Sequence, residues 1–499
     1  MADEIPERTA DTTAESPAPE ATAAEPGARR FKFPTALTVL TIILLAVWVA
    51  AFIIPAGIYD VDPETGETIP GSYHELPSCG DVPETEVCVD DSLSGRFSIL
   101  WTAPSYGLYG VENERGFVGD EEGFLYGSAM IFLFVLAVGA FITVTMKTGA
   151  IQAGIGALAL RFRHSPALLV IVLMAIFALG GTSYGMWEET LGFFALLVPL
   201  ALALNYDRMV GASIIFLGAG SGVLASTVNP FATGVASDAA GIGITEGIGL
   251  RIAMWLVLVP VAMAYVLWYG SRVRADPSRS LVGGGEAAIG GGPPAQEVEA
   301  LEPLTGKHKV ILVIFFVAFL TMIYGFVPWH DIWDTVFDAD FPLPTFSNFF
   351  FPEASVLFLV AAVAIALIAG FGEQGTVDSI LAGAADFLPA ALVIVVARAV
   401  TVVMKNTYIT DTILHWMEDA VSDTSETRFA ALAFIVNMPI AFLVPSSSGH
   451  AALVMPILAP LADFADVPRS LAVTAYQSAS GLVNLVTPTS AVVMGGLML

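Results

Sequence analysis

Apolar residues along this 499-residue chain come in long runs that are almost free of charge, separated by short polar joints. A helix needs about 20 mostly apolar residues to cross the hydrocarbon of a bilayer. By that measure residues 35–54, 127–146, 167–179, 191–204, 209–225, 250–269 and 310–327 predict helices in or across a membrane. Residues 354–369, 388–404, 429–444, 453–461 and 471–486 continue the series. The fold expected from this pattern is an all-α polytopic membrane protein.

Composition strengthens the reading. Hydrophobic residues make up 56% and charged residues 13%, where a soluble protein carries about a quarter of its residues as charges. Mean hydropathy is +0.74. The net charge of −27 lies mostly outside the apolar runs, and no basic or aromatic cluster suits nucleic acid. Residues 1–30, rich in Ala, Pro, Thr and Glu, predict a disordered acidic cytoplasmic tail. A second acidic reservoir, residues 55–123, predicts an extracellular loop; it holds the two cysteines, Cys79 and Cys88, which favour a local disulfide over a metal site.

Basic residues set the expected orientation. Arg29, Arg30 and Lys32 precede the first span and place the N-terminus in the cytoplasm, in what reads as a multi-pass protein of the cell membrane. Arg161, Arg163, Arg208, Arg272, Arg274, Lys307 and Lys309 agree with that side. Residues 31–271 form a first membrane half, 272–308 a Gly- and Pro-rich cytoplasmic linker, and 309–499 a second half lacking a final span.

Landmarks recur between the halves at a separation of about 258 residues. Met146-Lys147 and Met404-Lys405 each close a span and lead into an amphipathic stretch. Each half then has two apolar arms around a polar tip, at 181–190 and 445–452, followed by a break at Asn229-Pro230 or Thr487-Pro488. The first pair of arms should enter from the inside and the second from the outside. The expectation is two inverted-topology repeats, each with a re-entrant hairpin and a broken transmembrane helix, a transporter design with half-sites near the midplane.

Four polar interruptions carry the candidate chemistry. They contain Thr182 and Ser183; Ser226, Thr227, Asn229, Pro230 and Thr233; Ser446, Ser447, Ser448 and Gly449; and Asn484, Thr487, Pro488, Thr489 and Ser490. Non-helical backbone at membrane depth persists only where protein or water satisfies it. Unwound carbonyls suit a cation such as Na+, and amides at a half-helix N-terminus suit a carboxylate. Close helix packing by small residues is the plainer reading of any one motif. Glu188 and Glu189 follow the first tip; an acid there takes a proton, balances a cation or holds an ammonium group, unless both face a wet surface. Arg398, inside an apolar run, suits a charge pair with Asp411 or Asp386, or a substrate carboxylate. His450 reads as a hydrogen-bonding residue, with a proton relay as the sharper alternative.

Several stretches together resemble the YfcC-like branch of the four-carbon dicarboxylate anaerobic carrier family, within the ion transporter superfamily. They are GTSYGMWEET at 181–190, GAGSGVLASTVNPFATG at 218–234, ARAVT at 397–401 with ITDT at 409–412, and PSSSGHAALVMPILAP at 445–460. Ala475-Tyr476-Gln477, Pro488-Thr489-Ser490 and KFPTAL at 32–37 extend it to nearly the whole chain from Phe31. The resemblance implies a secondary carrier with scaffold and transport regions, elevator-like alternating access and a homodimer. It also implies a further final span, from which this chain departs.

The expected function is therefore transport of a small carboxylate-bearing solute coupled to Na+ or H+, with no cofactor and no metal beyond a Na+ site. Glu188 and Glu189 favour an amino acid over a four-carbon dicarboxylate. An intramembrane enzyme would need a nucleophile and base, for which the sequence has no HExxH motif and no convincing nucleophile–base set. A channel would need a continuous pore, which two opposed hairpins do not suggest.

Overall fold

The computed structural model describes residues 35–60, 69, 71–79, 87–113, 117–120, 124–125, 127–162, 164–187, 190–282, 303–326, 329, 342–346, 349–421, 424–444, 446–487 and 493. The expected tail 1–30, most of the linker, and Glu188, Glu189, Pro445, Pro488, Thr489 and Ser490 lie outside them.

Within the first half the helices are α1 Ala36–Ala50, α2 Leu93–Tyr109, α3 Ala129–Lys147, α4 Ala150–Phe162, α5 Pro166–Tyr184, α6 Leu191–Ala203, α7 Arg208–Leu224, the short α8 Val235–Ala239, and α9 Ile248–Ala275. The second half holds α10 Gly306–Phe326, α11 Phe351–Ala369, α12 Gly372–Asn406, α13 Thr410–Val421, α14 Glu426–Leu443, α15 Ser447–Phe464 and α16 Arg469–Asn484. Seven of these (α3, α5, α9, α10, α11, α12 and α14) are long and apolar enough to cross a membrane. The expected linker boundaries shift, since α9 runs on to Ala275 and α10 starts at Gly306.

Local chemistry explains the helix ends. Thr35 and Asp207 accept backbone N–H groups at the starts of α1 and α7, and Pro166 opens α5 where a missing N–H costs nothing. Gly185 ends α5 with φ +80°, a conformation that suits glycine. The Asp207 carboxylate also accepts the hydroxyls of Tyr269 (2.5 Å) and Ser280 (2.7 Å), which ties the start of α7 to the far end of α9.

Packing repeats between the halves. α5 and α6 pack on α7 as α14 and α15 pack on α16, while α11 lies on α3 as α2 lies on α12. α3 and α12, the two helices that carry Met-Lys in their last turn, pack on each other. Gly139 and Gly383 are why they approach so closely: a Cβ on Gly383 would stand 2.6 Å from the Gly139 carbonyl. Phe134, Phe141, Phe315, Phe319, Phe351 and Phe358 fill the seam of α3, α10 and α11 with ring contacts.

The stretch 55–123 is not only a loop. It contains α2, whose Ala103 and Ile99 are buried against the α12 side of the core. Ser, Thr and Pro104 dilute its apolar pattern, and Arg96 interrupts it. That guanidinium is buried because it donates to the Ala51 carbonyl and lies 5.0 Å from the Phe52 ring centroid. The flanking segments dock on the second half. Asn406 holds both the N–H and the carbonyl of Val118 (2.8 and 2.7 Å), and Lys405 pairs with Glu112. The disulfide Cys79–Cys88 forms, as expected from the sequence.

Candidate functional site

The four polar interruptions sit where helices stop. In the first half, α7 ends at Leu224 and the chain re-forms as a π-helical turn, Pro230–Gly234, before α8. Asn229 caps that turn: its Oδ1 accepts the N–H groups of Phe231 (2.9 Å) and Ala232 (3.2 Å). Its Nδ2 reaches back to the Gly181 carbonyl at 3.4 Å. A Cβ on Gly185 would stand 2.7 Å from that Oδ1, so the hairpin tip closes directly over the broken helix.

Thr182 joins the same junction. Its Oγ1 donates to the Ala225 carbonyl at 2.9 Å and accepts the Thr227 N–H at 3.0 Å, while the Thr227 hydroxyl donates to the Thr182 carbonyl at 3.2 Å. Ser183 is turned to its own helix, donating to Leu179 O.

Ser226 and Thr233 bond to Gln477 of α16, whose side chain carries no site signal of its own in the sequence. The Thr233 hydroxyl donates to Gln477 Oε1 (2.8 Å), which orients the Ser226 hydroxyl to donate to Thr233 (2.6 Å). Gln477 Nε2 closes the ring on the Ser226 carbonyl at 2.9 Å. All three residues are buried. The neighbouring residue, Tyr476, reaches the other way: its hydroxyl donates to the Ser447 carbonyl at the tip of the second hairpin. Two adjacent side chains of α16 thus touch the polar breaks of both halves.

At the second tip, Ser446 caps α15 by accepting the Gly449 N–H (3.3 Å), and Asn484 Nδ2 faces Ser447 Oγ at 3.5 Å. Asn484 Oδ1 is buried and has no partner among the described residues. Ser448 and Thr487 are buried, and the Thr487 N–H bonds the Val483 carbonyl. His450 donates across the hairpin to Asn437, 2.8 Å away. The opposite face of α16 is mostly apolar, and its two hydroxyls, of Thr474 and Ser478, donate to carbonyls of their own helix. There Leu471 and Leu482 join Leu224, Leu250, Met254 and Phe434 around a cavity of about 390 Å³, a lining suited to hydrocarbon rather than to a charged solute.

The expected pair of Arg398 with Asp411 does not form. Arg398 donates to Asp238 of α8 at 2.6 Å, joining the long helix of the second half to the broken helix of the first. Asp411 instead accepts the Tyr59 N–H at 3.0 Å. The cause is the docking of Pro55, Tyr59, Gly71 and Tyr73 on α13, which sequence spacing does not show. Tyr59 bonds Glu418, the Gly71 N–H bonds the same carboxylate, and the Tyr73 ring stacks on His415 at 4.2 Å. Burial pushes the Asp411 carboxyl up and the Tyr59 phenol further up, the latter reinforced by Glu418. Among the described residues no cluster of three His, Cys, Asp or Glu side chains is placed to hold a metal.

A family model for the C4-dicarboxylate anaerobic carrier matches residues 33–499. The chain belongs to this family. A Haemophilus influenzae protein of uncharacterized function is 30% identical over 494 residues, covering 93% of this chain and 91% of its own length. YfcC of Escherichia coli (strain K12), which carries the provisional name of a basic amino acid antiporter, is 28% identical over 94% of this chain and 90% of its own. Two solved transporters share the fold. MtrF of Neisseria gonorrhoeae, described among antimetabolite efflux pumps, superposes with a TM-score of 0.64 at 15% identity, covering 93% of this chain and 88% of MtrF. YdaH of Alcanivorax borkumensis gives 0.60 at 12%, covering 93% of this chain and 90% of YdaH. The chain is thus a multi-pass membrane carrier and not an enzyme.

Proposed function

We propose that this carrier is a secondary active transporter that moves a small carboxylate-bearing solute, foremost an amino acid, across the cytoplasmic membrane, coupled to Na+ or H+. The observation that carries the reading is the meeting of both polar breaks on α16, through Tyr476 to Ser447 and through Gln477 to Ser226 and Thr233. A solute held there contacts both halves, which alternating access requires. The first turn of α15 offers the Ser447 and Ser448 amides for a carboxylate, favoured by the positive end of the helix dipole, while Ser446 caps the Gly449 amide. Asn484 Oδ1, buried and unpaired among the described residues, accepts from an ammonium group. Thr182, Ser226, Thr227 and Thr233 bond one another here, so a coupling ion at that end exchanges internal bonds for ligand bonds.

We read the two hairpins as entering from opposite sides, with the N-terminus cytoplasmic, and the carrier as a homodimer. Glu188 and Glu189 beside the first tip, together with the provisional name of the Escherichia coli relative, favour an amino acid. The family's description favours the second reading, a four-carbon dicarboxylate. Purified protein in liposomes, offered labelled arginine, lysine, aspartate and succinate under Na+ or H+ gradients, separates the two. Saturable uptake of the amino acids alone supports the first reading, and uptake of succinate alone replaces it with the second. If no gradient drives saturable uptake of any of the four, the carrier assignment to carboxylate solutes fails.

A further inference from the structure

His450 lies three residues beyond the start of α15 and is completely buried. Its Nε2 is 2.8 Å from Oδ1 of Asn437 on the facing arm, α14. The Asn437 amide is oriented by its other atom, since Nδ2 donates to the Ala433 carbonyl at 2.7 Å. Oδ1 is therefore an acceptor, so the imidazole must donate to it from Nε2. That leaves Nδ1 a bare lone pair, and among the described residues it has no partner although no solvent reaches it. Buried acceptors are almost always bonded, and one left open at the tip of a transporter hairpin calls for a role.

The surroundings narrow that role. Tyr476 of α16 meets the imidazole edge-on, with centroids 4.9 Å apart, and its hydroxyl is committed to Ser447. α1, which approaches at Gly449 through Leu40, carries no charged residue. Of the described charges on the other elements packed against α15, Glu373, Asp378 and Asp386 of α12 lie seven or more residues before Val393, which meets Gly449, while Lys405 of α12 pairs with Glu112 and Arg469 of α16 with Asp463. Asp238 of α8 and Arg398 of α12 neutralise each other, and Asp411 and Glu418 of α13 bond Tyr59, with His415 against Glu418. Glu426 and Arg428 of α14 stand at its first turn, more than two turns before Asn437. None of these carboxylates is placed to hold a permanent imidazolium.

We propose that Nδ1 of His450 binds the coupling proton, which identifies H+ rather than Na+ as the driving ion. The inference rests on the carrier reading above. When the second hairpin lifts from α16 towards one side, a solvent proton adds to the Nδ1 lone pair and gives an imidazolium. On the other side that proton returns to water, and the ring regains the neutral Nε2–H form seen here. The Tyr476 contact and the Asn437 bond shut the ring off between these events, which prevents a leak.

The test uses the full-length protein in liposomes with labelled arginine and succinate. Two rates are measured for each: accumulation driven by a pH gradient, and exchange with the same solute on both sides and no gradient. His450→Gln keeps an N–H for Asn437 Oδ1 but has no lone pair that titrates near neutrality. We expect its ratio of gradient-driven accumulation to exchange to fall to the gradient-free value, with a flat pH profile. Asn437→Asp sets a carboxylate against Nε2 and should move the wild-type pH profile to higher pH. Wild-type accumulation by folded His450→Gln overturns the proposal. Should that variant not fold, an unmoved pH profile in Asn437→Asp does the same. Exchange by the wild type with accumulation driven by Na+ alone refutes the proton site and leaves the carrier reading standing; absence of exchange for both solutes removes both.

Discussion

Replacing Gln477 with leucine removes both arms of the ring that joins α16 to the first broken helix. Two groups then lose their short partners, the Thr233 hydroxyl, which donated at 2.8 Å, and the Ser226 carbonyl, which accepted at 2.9 Å; as donor and acceptor, only the 3.5 Å contact between the two groups themselves is left to them. Both residues are 0% exposed, so water does not replace the lost bonds. A buried polar group left without a partner costs about 1–3 kcal/mol, and the two together place the loss at no more than about 2–6 kcal/mol. Thr233→Val in the same background removes one orphan, so the double variant should recover part of the loss. The interaction energy between the two sites is expected within the range of about 0.5–3 kcal/mol found for residues sharing one network. Equilibrium unfolding of the purified protein in mixed detergent micelles, read for the wild type, both single variants and the double variant, measures each term. Strict additivity, or a silent Gln477→Leu, would refute the ring as a cooperative tie between the halves.

Three further expectations follow from particular contacts. Gly222→Ala places a Cβ 2.2 Å from the Ala178 carbonyl and should destabilise the α5–α7 pair by about 1–3 kcal/mol, whereas Gly249→Ala, with nothing within 4 Å, should stabilise α9 by about 0.5–1 kcal/mol; thermal melting in detergent compares them. Asp238→Ala and Arg398→Ala each break the ion pair that joins the halves, and the double variant should be less destabilised than the sum of the two, by about 0.5–3 kcal/mol in the same unfolding assay. The docking of Tyr59, Gly71 and Tyr73 on α13 should weaken as pH rises. Asp411 and Tyr59 both have folded-state values raised by burial, so the docked form binds more protons, and stability falls as pH climbs from the undocked value of each group through its docked one. Hydrogen exchange of the Gly57 and Leu76 amides, bonded to Tyr408 and Ala56, reports it, and protection that rises with pH would contradict the sign.

Much of the candidate site was legible before any tertiary structure. Gly, Pro, Ser and Asn unwind a helix through their own backbone chemistry, so the stops at Gly185, Asn229 and Ser446 could be read from the residues themselves. Which groups those stops would face was not legible. Asn229 and Thr182 were expected as ligands and are in this structure a cap and a clasp, because the nearest donors and acceptors came from their own half. Gln477 has a polar side chain in a helix and carries no signal of its own; its importance comes from partners 244 and 251 residues away.

Apolar run length and the residues that interrupt it are local properties, and they alone determined that this chain is a helical membrane protein with two hairpins and broken helices. The same logic placed the cysteine bridge, whose ends are nine residues apart. Tertiary structure decided what lies against what. It turned part of an apparent loop into α2, because Ala103 and Ile99 find the α12 side of the core despite the diluted pattern around them. It gave Arg398 to Asp238, since α13 spends Asp411 on the loop that docks there. Side-chain partners between distant segments depend on how helices cross, and a crossing is set by contacts such as Gly139 on Gly383 that no single stretch contains.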